Sequence, residues 1–262
     1  DIAEQAKARL ADYAAEVHDE QITMTLSGLR GQGDEIQHYP IGYGGFPNTF
    51  ETPDTGHYQA WDGSVTYATL VEATHKLGTN VIDTALLKAK KMIGDVKSGK
   101  AAKMVPCAAE GGEHFLFLTG PEGMYDLRRE VGDAGWLTLE KAKAAAVGEK
   151  SLIFTGGRAF YNGVLIDETQ TIVKQNTAGA GTNLRAMRSL FLGAHAVAVA
   201  YGTKGQSRGT RYELSESDLD HGEEEVIVMR LIAGYKKLRF NSMDFGQITV
   251  DHTYTVAAGA TI

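Results

Sequence analysis

An α+β fold is predicted by three stretches of this sequence: one fully specified helix, a long glycine- and proline-rich segment ahead of it, and a strictly alternating strand near the end. The helix spans Asn80–Gly94, where Val81, Ile82, Ala85, Leu86, Ala89, Met92 and Ile93 recur at three- and four-residue spacing and form one apolar stripe. Asn80 is read as its N-cap and Asp83 as a first-turn acid that meets the positive end of the helix dipole. Lys88, Lys90 and Lys91 fall in the later turns, where cations are favoured, and Gly94 is read as the stop. From Leu26 to Gly63 no helical period survives, with prolines at 40, 47 and 53 and glycines throughout. From Gln247 to Val256, Ile248, Val250, His252, Tyr254 and Val256 share one face against Thr249, Asp251, Thr253 and Thr255, which predicts a half-buried strand.

The remaining elements follow in chain order. Asp1–Val17 predicts an alanine-rich helix with a thin stripe of Ile2, Ala6, Leu10 and Val17, suited to packing on a neighbour. The 26–63 stretch is too long for a structureless loop in a compact domain, and its Ile36, Tyr39, Ile41, Tyr43, Phe46, Phe50, Tyr58 and Trp61 argue against disorder. It reads as an extended arm that finds partners on another chain. Val65–Leu77 leads in as a short helix or a strand. Lys97, Lys100 and Lys103 form a basic linker, Phe115–Leu118 suits a buried strand, and Met124–Glu130 a helical turn. Leu137–Ala146 reads as a second Ala/Lys helix. Asn162-Gly163 is a favoured two-residue hairpin turn, in a region flanked by Leu152–Phe154 and Val164–Ile166. Gly179–Gly181 is a loop, Leu184–Ala194 gives a helical face, Ala196–Tyr201 turns strand-like, and Glu225–Tyr235 is strand. The α and β segments do not alternate regularly enough for a doubly wound sheet.

The 262 residues, 43% hydrophobic, can bury a real core in one or two domains. A formal net charge of -7 does not suit a protein that coats nucleic acid. The single cysteine, Cys107, excludes an internal disulfide. No apolar run is long enough to cross a bilayer as a helix, and no basic-then-apolar leader opens the chain, so neither a membrane anchor nor a signal peptide is expected.

Motifs that could carry chemistry are weak. Gly205-Gln206-Ser207-Arg208-Gly209 matches the nucleophile-elbow pattern, with Asp218 or Asp220 and His221 or His252 following in order. The elbow needs a helix after the serine, and Thr210–Leu214 alternates like a strand instead, so a serine hydrolase on Ser207 is an alternative and not the main reading. Gly179-Ala180-Gly181-Thr182 lacks the Lys-Ser/Thr ending of a phosphate loop. The eight histidines form no zinc pattern. The acidic run Glu213, Glu216, Asp218, Asp220, Glu223, Glu224 and Glu225 lacks calcium-loop spacing, so it reads as a solvated or partner-facing edge. The one basic cluster, Lys88 to Lys103, has no interleaved aromatics for base stacking; a neighbour's acidic run suits it at least as well as phosphate. No catalytic, cofactor or metal residue is therefore expected.

One further pattern spans most of the chain. His114–Arg128 (HFLFLTGPEGMYDLR) with Trp136 downstream, Phe160–Val164 (FYNGV), Leu190–Ala196 (LFLGAHA), Gly234–Gly246 (GYKKLRFNSMDFG) and the earlier Met24–Gly31 (MTLSGLRG) stand in an order that resembles tailed-bacteriophage major capsid proteins of a podovirus-type branch. The resemblance implies the Hong Kong 97 capsid fold. Its parts would be an N-terminal arm over 1–25, an extended loop region over 26–66, and a peripheral domain with the spine helix over 67–118. An axial domain over 119–224 and a return to the peripheral domain over 225–262 would complete it. The expected function is a structural one: pentamers and hexamers of an icosahedral head around double-stranded DNA. The partners are other copies of the chain, with portal, scaffolding and cement proteins as further candidates, no membrane and no cofactor. The place is the virion, after assembly in the host cytoplasm. An encapsulin-like nanocompartment is the other alternative. Tyr43, Phe46, Phe50 and Trp61 are the candidate subunit-interface residues. Some members of the fold weld their shells through a loop lysine, and this chain has no lysine between Lys7 and Lys76, so no such weld is expected.

Overall fold

The computed structural model describes residues 2–30, 50–92, 103–109, 112–130, 135, 159–202, 213–219 and 224–256. Helix α1, Ile2–Ser27, runs well past Val17. Its second half is held by tertiary contacts, with Met24 and Leu26 buried. The hydroxyls of Thr23 and Thr25 bond back to the carbonyls of Asp19 and Gln21, so neither β-branched residue leaves an orphan in the helix. Gly28 stops it in the left-handed region (φ 66°), its N–H donating to the Met24 carbonyl at 3.0 Å.

A 3₁₀ turn over Thr55–His57 leads into strand β1, Tyr58–Ala60, and a second such turn covers Tyr67–Thr69. Helix α2, Thr79–Lys91, buries the predicted stripe: Val81, Ile82, Ala85, Leu86 and Ala89 are all inside. Its cap differs from the expectation. Gly78 is the N-cap and Asn80 lies within the first turn. The Glu130 carboxylate instead accepts the Thr79 N–H at 2.9 Å, so an acid distant in sequence does the capping. Asp83 sits two residues further in than predicted, past the first turn, and accepts from Tyr161 Oη at 2.7 Å and Asn162 Nδ2 at 2.9 Å, latching a hairpin tip to α2. Gly94 lies outside the described residues.

The later elements are β2 (Cys107–Ala109), β3 (Gly112–Thr119), α3 (Pro121–Arg128), β4 (Ala159–Tyr161), β5 (Val164–Glu168), β6 (Val173–Ala178), β7 (Leu184–Leu192) and β8 (Val197–Tyr201). Then come β9 (Glu213–Leu219), β10 (Glu224–Arg230), β11 (Ala233–Lys237), β12 (Arg239–Phe240), β13 (Met243–Asp244) and β14 (Gln247–Thr253). The main sheet has the order β1-β14-β7-β3-β5-β4, with β2 added to β3 and β6 to β7. The β1–β14 and β3–β5 pairs are parallel and the others on this path antiparallel. The β4–β5 turn is Asn162-Gly163 as expected, both residues at positive φ (46° and 81°).

α2 and α3 cover one face of the sheet, where Val81, Ile82, Met124 and Leu127 meet Phe117, Phe191, Ile248 and Val250. The end of α1 covers the other, where Leu26 and Ile22 join Met187, Leu190, Leu192 and Tyr254. This two-sided cover explains two corrections. Leu184–Ala194 is a strand to Leu192, not a helix: its residues are apolar on both faces because both faces are covered, and that gives spacings a helix would also satisfy. β14 is fully buried along its length, not half-buried, because the polar face of the alternation carries bonded side chains in place of solvated ones.

Glu225–Tyr235 is also corrected, to two strands broken at Leu231-Ile232. β10 pairs with β9 and β11 with β8, all antiparallel, so they leave the main sheet as two-stranded ribbon segments. α1 packs along β10 and β11, and Lys7 pairs with Glu216 at 2.6 Å. The Leu137–Ala146 helix, the Leu152–Phe154 flank, Lys97 and Lys100 lie outside the described residues.

Candidate assembly surface

Two buried polar clusters fix the surfaces that α1 and the ribbon present. In the first, Arg188 on β7 and Asp251 on β14 are direct cross-strand partners. Nε and Nη2 of Arg188 each donate to Asp251 at 2.7 Å, and Nη1 donates to the Ser27 carbonyl at 3.0 Å. Tyr58 Oη donates to the same carboxylate at 2.9 Å. Burial opposes the Arg188 charge, but Asp251 outweighs it and holds the guanidinium above its ordinary pKa. Burial, and then Asp251, pushes the Tyr58 phenol up, so it stays a donor. One arginine thereby ties the last turn of α1 to the centre of the sheet.

In the second cluster Asp54 caps the 3₁₀ turn through Gly56 N at 2.7 Å and His57 N at 3.1 Å. It also meets His57 Nδ1 at 2.9 Å and accepts the Asp244 N–H at 2.7 Å. Burial would raise its pKa; the bonds from His57 and Asp244 outweigh that and hold the carboxyl well below the usual range. Lys237 Nζ reaches Asp244 at 2.9 Å with both side chains buried, and Arg239 pairs with Glu51 at 3.0 Å. The base of the ribbon is thus bonded to the segment that enters β1.

Outside these clusters the surface carries large apolar side chains on several elements: Leu87 on α2, Phe160 on β4, Leu214 on β9, Ile232 between β10 and β11, and Phe240 on β12. Leu87, Ile232 and Phe240 are each more than half exposed. Leu214 lies on a two-stranded ribbon, a structure that is marginal without something to pack on. Beside α2 an open concavity of about 780 Å³ is lined by Leu87, Lys88, Lys91, Met92, Val65 and Gly63. Lys88 donates to the Tyr58 carbonyl, and burial lowers its pKa against the pull of Asp54.

The interface residues expected from sequence are only partly in view. Tyr43 and Phe46 lie outside the described residues, and Phe50 is half-buried. Trp61 turns into its own chain: Nε1 donates to the Lys76 carbonyl at 2.9 Å and the ring packs on the His75 imidazole and the core. Leu87, Leu214 and Ile232 were not singled out from sequence, since an exposed leucine or isoleucine looks like any other until its element is placed.

The geometry gives the elbow motif no support. Ser207, Asp220 and His221 lie outside the described residues, and the next described element after Ser207 is strand β9, where the elbow needs a helix. His252 is fully buried: Nδ1 donates to the Thr253 carbonyl at 2.9 Å and Nε2 meets Ser189 Oγ at 2.7 Å. Burial lowers its pKa. This buried pair has no opening for a substrate and serves packing. Among the described residues no cluster of metal-ligating side chains occurs, and no described helix is long and apolar enough to cross a membrane.

Comparison with known proteins gives two matches. A family model described as phage capsid protein matches residues 1–256. Among solved structures, the capsid of Ralstonia phage GP4 superimposes with a TM-score of 0.81 at 35% sequence identity, covering 100% of this chain and 69% of that one. No curated protein sequence matches. The likeness to a solved capsid makes the architecture described above the Hong Kong 97 type of α+β fold.

Proposed function

Because this chain belongs to the phage capsid protein family, we propose that its copies close into an icosahedral head through rings of five and six, with double-stranded DNA inside. The protein is a major capsid protein, a structural subunit of the virion shell. The observation that carries the finer reading is the superposition of the entire chain on a solved phage capsid protein at 35% identity. The surface agrees with it. Exposed apolar side chains stand on several elements, as suits a subunit that touches several neighbours, and many modest contacts then add through avidity. The net charge of -7 suits a wall that encloses DNA without gripping it.

On this reading the protein works by association and catalyses nothing. Portal, scaffolding and cement proteins are its further partners, and assembly takes place in the host cytoplasm. Residues 1–25 act as the arm, 26–66 as the extended loop region, 67–118 with α2 as the peripheral domain, 119–224 as the axial domain and 225–262 as the return. Within 119–224, β4, β5, β6 and β7 share the main sheet with β3 and β14. Tyr43, Phe46 and Phe50 are proposed to bury area on neighbouring subunits.

Electron microscopy of the purified protein tests the proposal. Closed particles, or rings of five and six, that protect nuclease-sensitive double-stranded DNA are expected. Particles filled with a protein cargo and free of nucleic acid would overturn the DNA-head reading.

A further inference from the structure

We propose that the outward face of α1 in one subunit docks on the outward face of the β8–β11 ribbon in a neighbouring subunit. The inference rests on the capsid reading and names one contact within the shell.

α1 and the ribbon form a two-layer unit in each chain. Lys7 pairs with Glu216, and the His18 ring meets Tyr201 and Tyr235 edge-on at 5.7 and 5.3 Å. These contacts fix which face of each element is inside. Successive side chains on a strand point to opposite faces, so the cross-strand pairs Gly234–Ala200 and Lys236–Ala198 lie on the face away from α1. All four residues are exposed. Ile232 joins them: it is 59% exposed, and a Cβ on Gly202 would stand 2.7 Å from its Cγ2. The ribbon is thus covered on one face and open on the other, and a two-stranded sheet gains from a second cover.

The helix has an open face as well. Lys7, Leu10, Ala14, Val17 and His18 form its more buried side, toward the ribbon. Glu4, Ala8, Asp12, Ala15 and Asp19 recur at three- and four-residue spacing on the other side, and all are exposed. Glu16 stands beside this stripe, and Arg9 is a cation at its flank.

Charge decides the occupant. Glu4, Asp12 and Asp19 make no ion pair among the described residues, and neither does Lys236. The β8–β11 strands carry no acid. Arg230 precedes them with Glu213 across from it in the register, so Lys236 is the cation this contact uses. An acidic face and a cationic face therefore stand on opposite sides of one two-layer unit. Their backs are packed together, so they cannot meet within a chain, and the helix face of one copy meets the ribbon face of the next. Ile232 and the two ribbon alanines lie against Ala8 and Ala15 in that contact. It is head-to-tail, and such an interface closes into rings when the rotation per subunit allows it.

The test is a charge swap followed in particle yield. Lys236→Glu, and separately Asp12→Lys with Asp19→Lys, change exposed positions, and unchanged melting of the unassembled subunit checks the fold. Each is expected to lower shell yield by about tenfold or more, because the same contact repeats around every ring, and the three substitutions together to restore it. A second measurement does not depend on charge. In a Cys107→Ser background, Ala15→Cys with Ala200→Cys is expected to give oxidised dimers and longer ladders from assembled shells and none from dilute subunits. Normal yield from both charge variants, a combined variant no better than either, or shells whose cysteine pair never cross-links overturns the contact, while wild-type shells keep the capsid reading intact. Normal shells with lost DNA retention in Lys236→Glu would assign the ribbon face to phosphate and overturn it equally. A wild-type chain that forms no shell or ring removes the capsid reading and the inference with it.

Discussion

Arg188 and Asp251 face each other across the β7–β14 pair and are joined by two hydrogen bonds of 2.7 Å, with the Asp251 side chain almost wholly inside. A buried pair of this kind is weak evidence of net stabilisation, but losing one partner strands the other charge in the core. Asp251→Ala should therefore destabilise the subunit by about 3–5 kcal/mol, while Arg188→Met with Asp251→Leu should recover most of that loss. Denaturant unfolding of the unassembled subunit checks both. A single variant with unchanged midpoint would show that the pair contributes nothing.

Asp54 gives a pH dependence. Its carboxyl is held below the ordinary value of 3.8 in the fold: burial raises it, and the bonds from His57 and the Asp244 N–H outweigh burial. A depressed folded value means the unfolded chain takes the proton first as pH falls. The stabilisation is complete well above pH 3.8 and is lost progressively as the pH drops below that toward the folded value. Asp54→Asn should be less stable at neutral pH and should show a shallower acid transition than the wild type. An acid titration followed by tryptophan fluorescence separates the two curves.

Gly28 ends α1 at φ 66°, and a Cβ there would stand 2.1 Å from the Glu51 carbonyl oxygen. Backbone cannot yield as a flexible side-chain tip can. Gly28→Ala should cost about 2 kcal/mol or more and should loosen the end of α1 first. Hydrogen exchange at Met24–Ser27 rising before exchange in β14 is the expected signature.

The parts of this fold that the sequence displayed are those with local causes. The α2 stripe, the Asn162-Gly163 turn and the β3 run are each set by neighbours within a few residues. What stayed hidden needed tertiary knowledge. Leu184–Leu192 reads as a helix face because a strand covered on both sides loses its alternation. The cap of α2 is Glu130, whose role no local pattern around Thr79 announces. The likeness to capsid proteins was legible in the order of several short motifs, yet the residues within them turn out to pack: Leu127 and Phe191 are core, and Asp126 binds the Thr255 N–H at 2.7 Å. The exposed Leu87 and Leu214 became notable only once one was on a concavity and the other on an open ribbon.

The chain has no lysine from Ala8 to His75, so the segment read as the extended loop offers no amine for an isopeptide bond. Intact shells boiled in detergent should run as one band at the monomer mass. A covalent ladder from wild-type particles would show that another lysine makes the weld.

Trp61 and Phe50 separate subunit stability from assembly. The Trp61 indole is bonded to the Lys76 carbonyl and packed on the core of its own chain. Trp61→Ala should therefore lower the stability of the isolated subunit by about 3 kcal/mol, and any loss of shells should follow from that. Phe50, with Tyr43 and Phe46 in the preceding segment, is proposed to bury area on a neighbour. Phe50→Ser should then reduce shell yield beyond what its effect on the melting of the isolated subunit explains, since an interface aromatic adds contacts when its neighbour is present. Melting and particle yield measured side by side on the two variants distinguish the roles. Equal loss of melting stability in both would place Phe50 with Trp61, as a residue that serves its own chain.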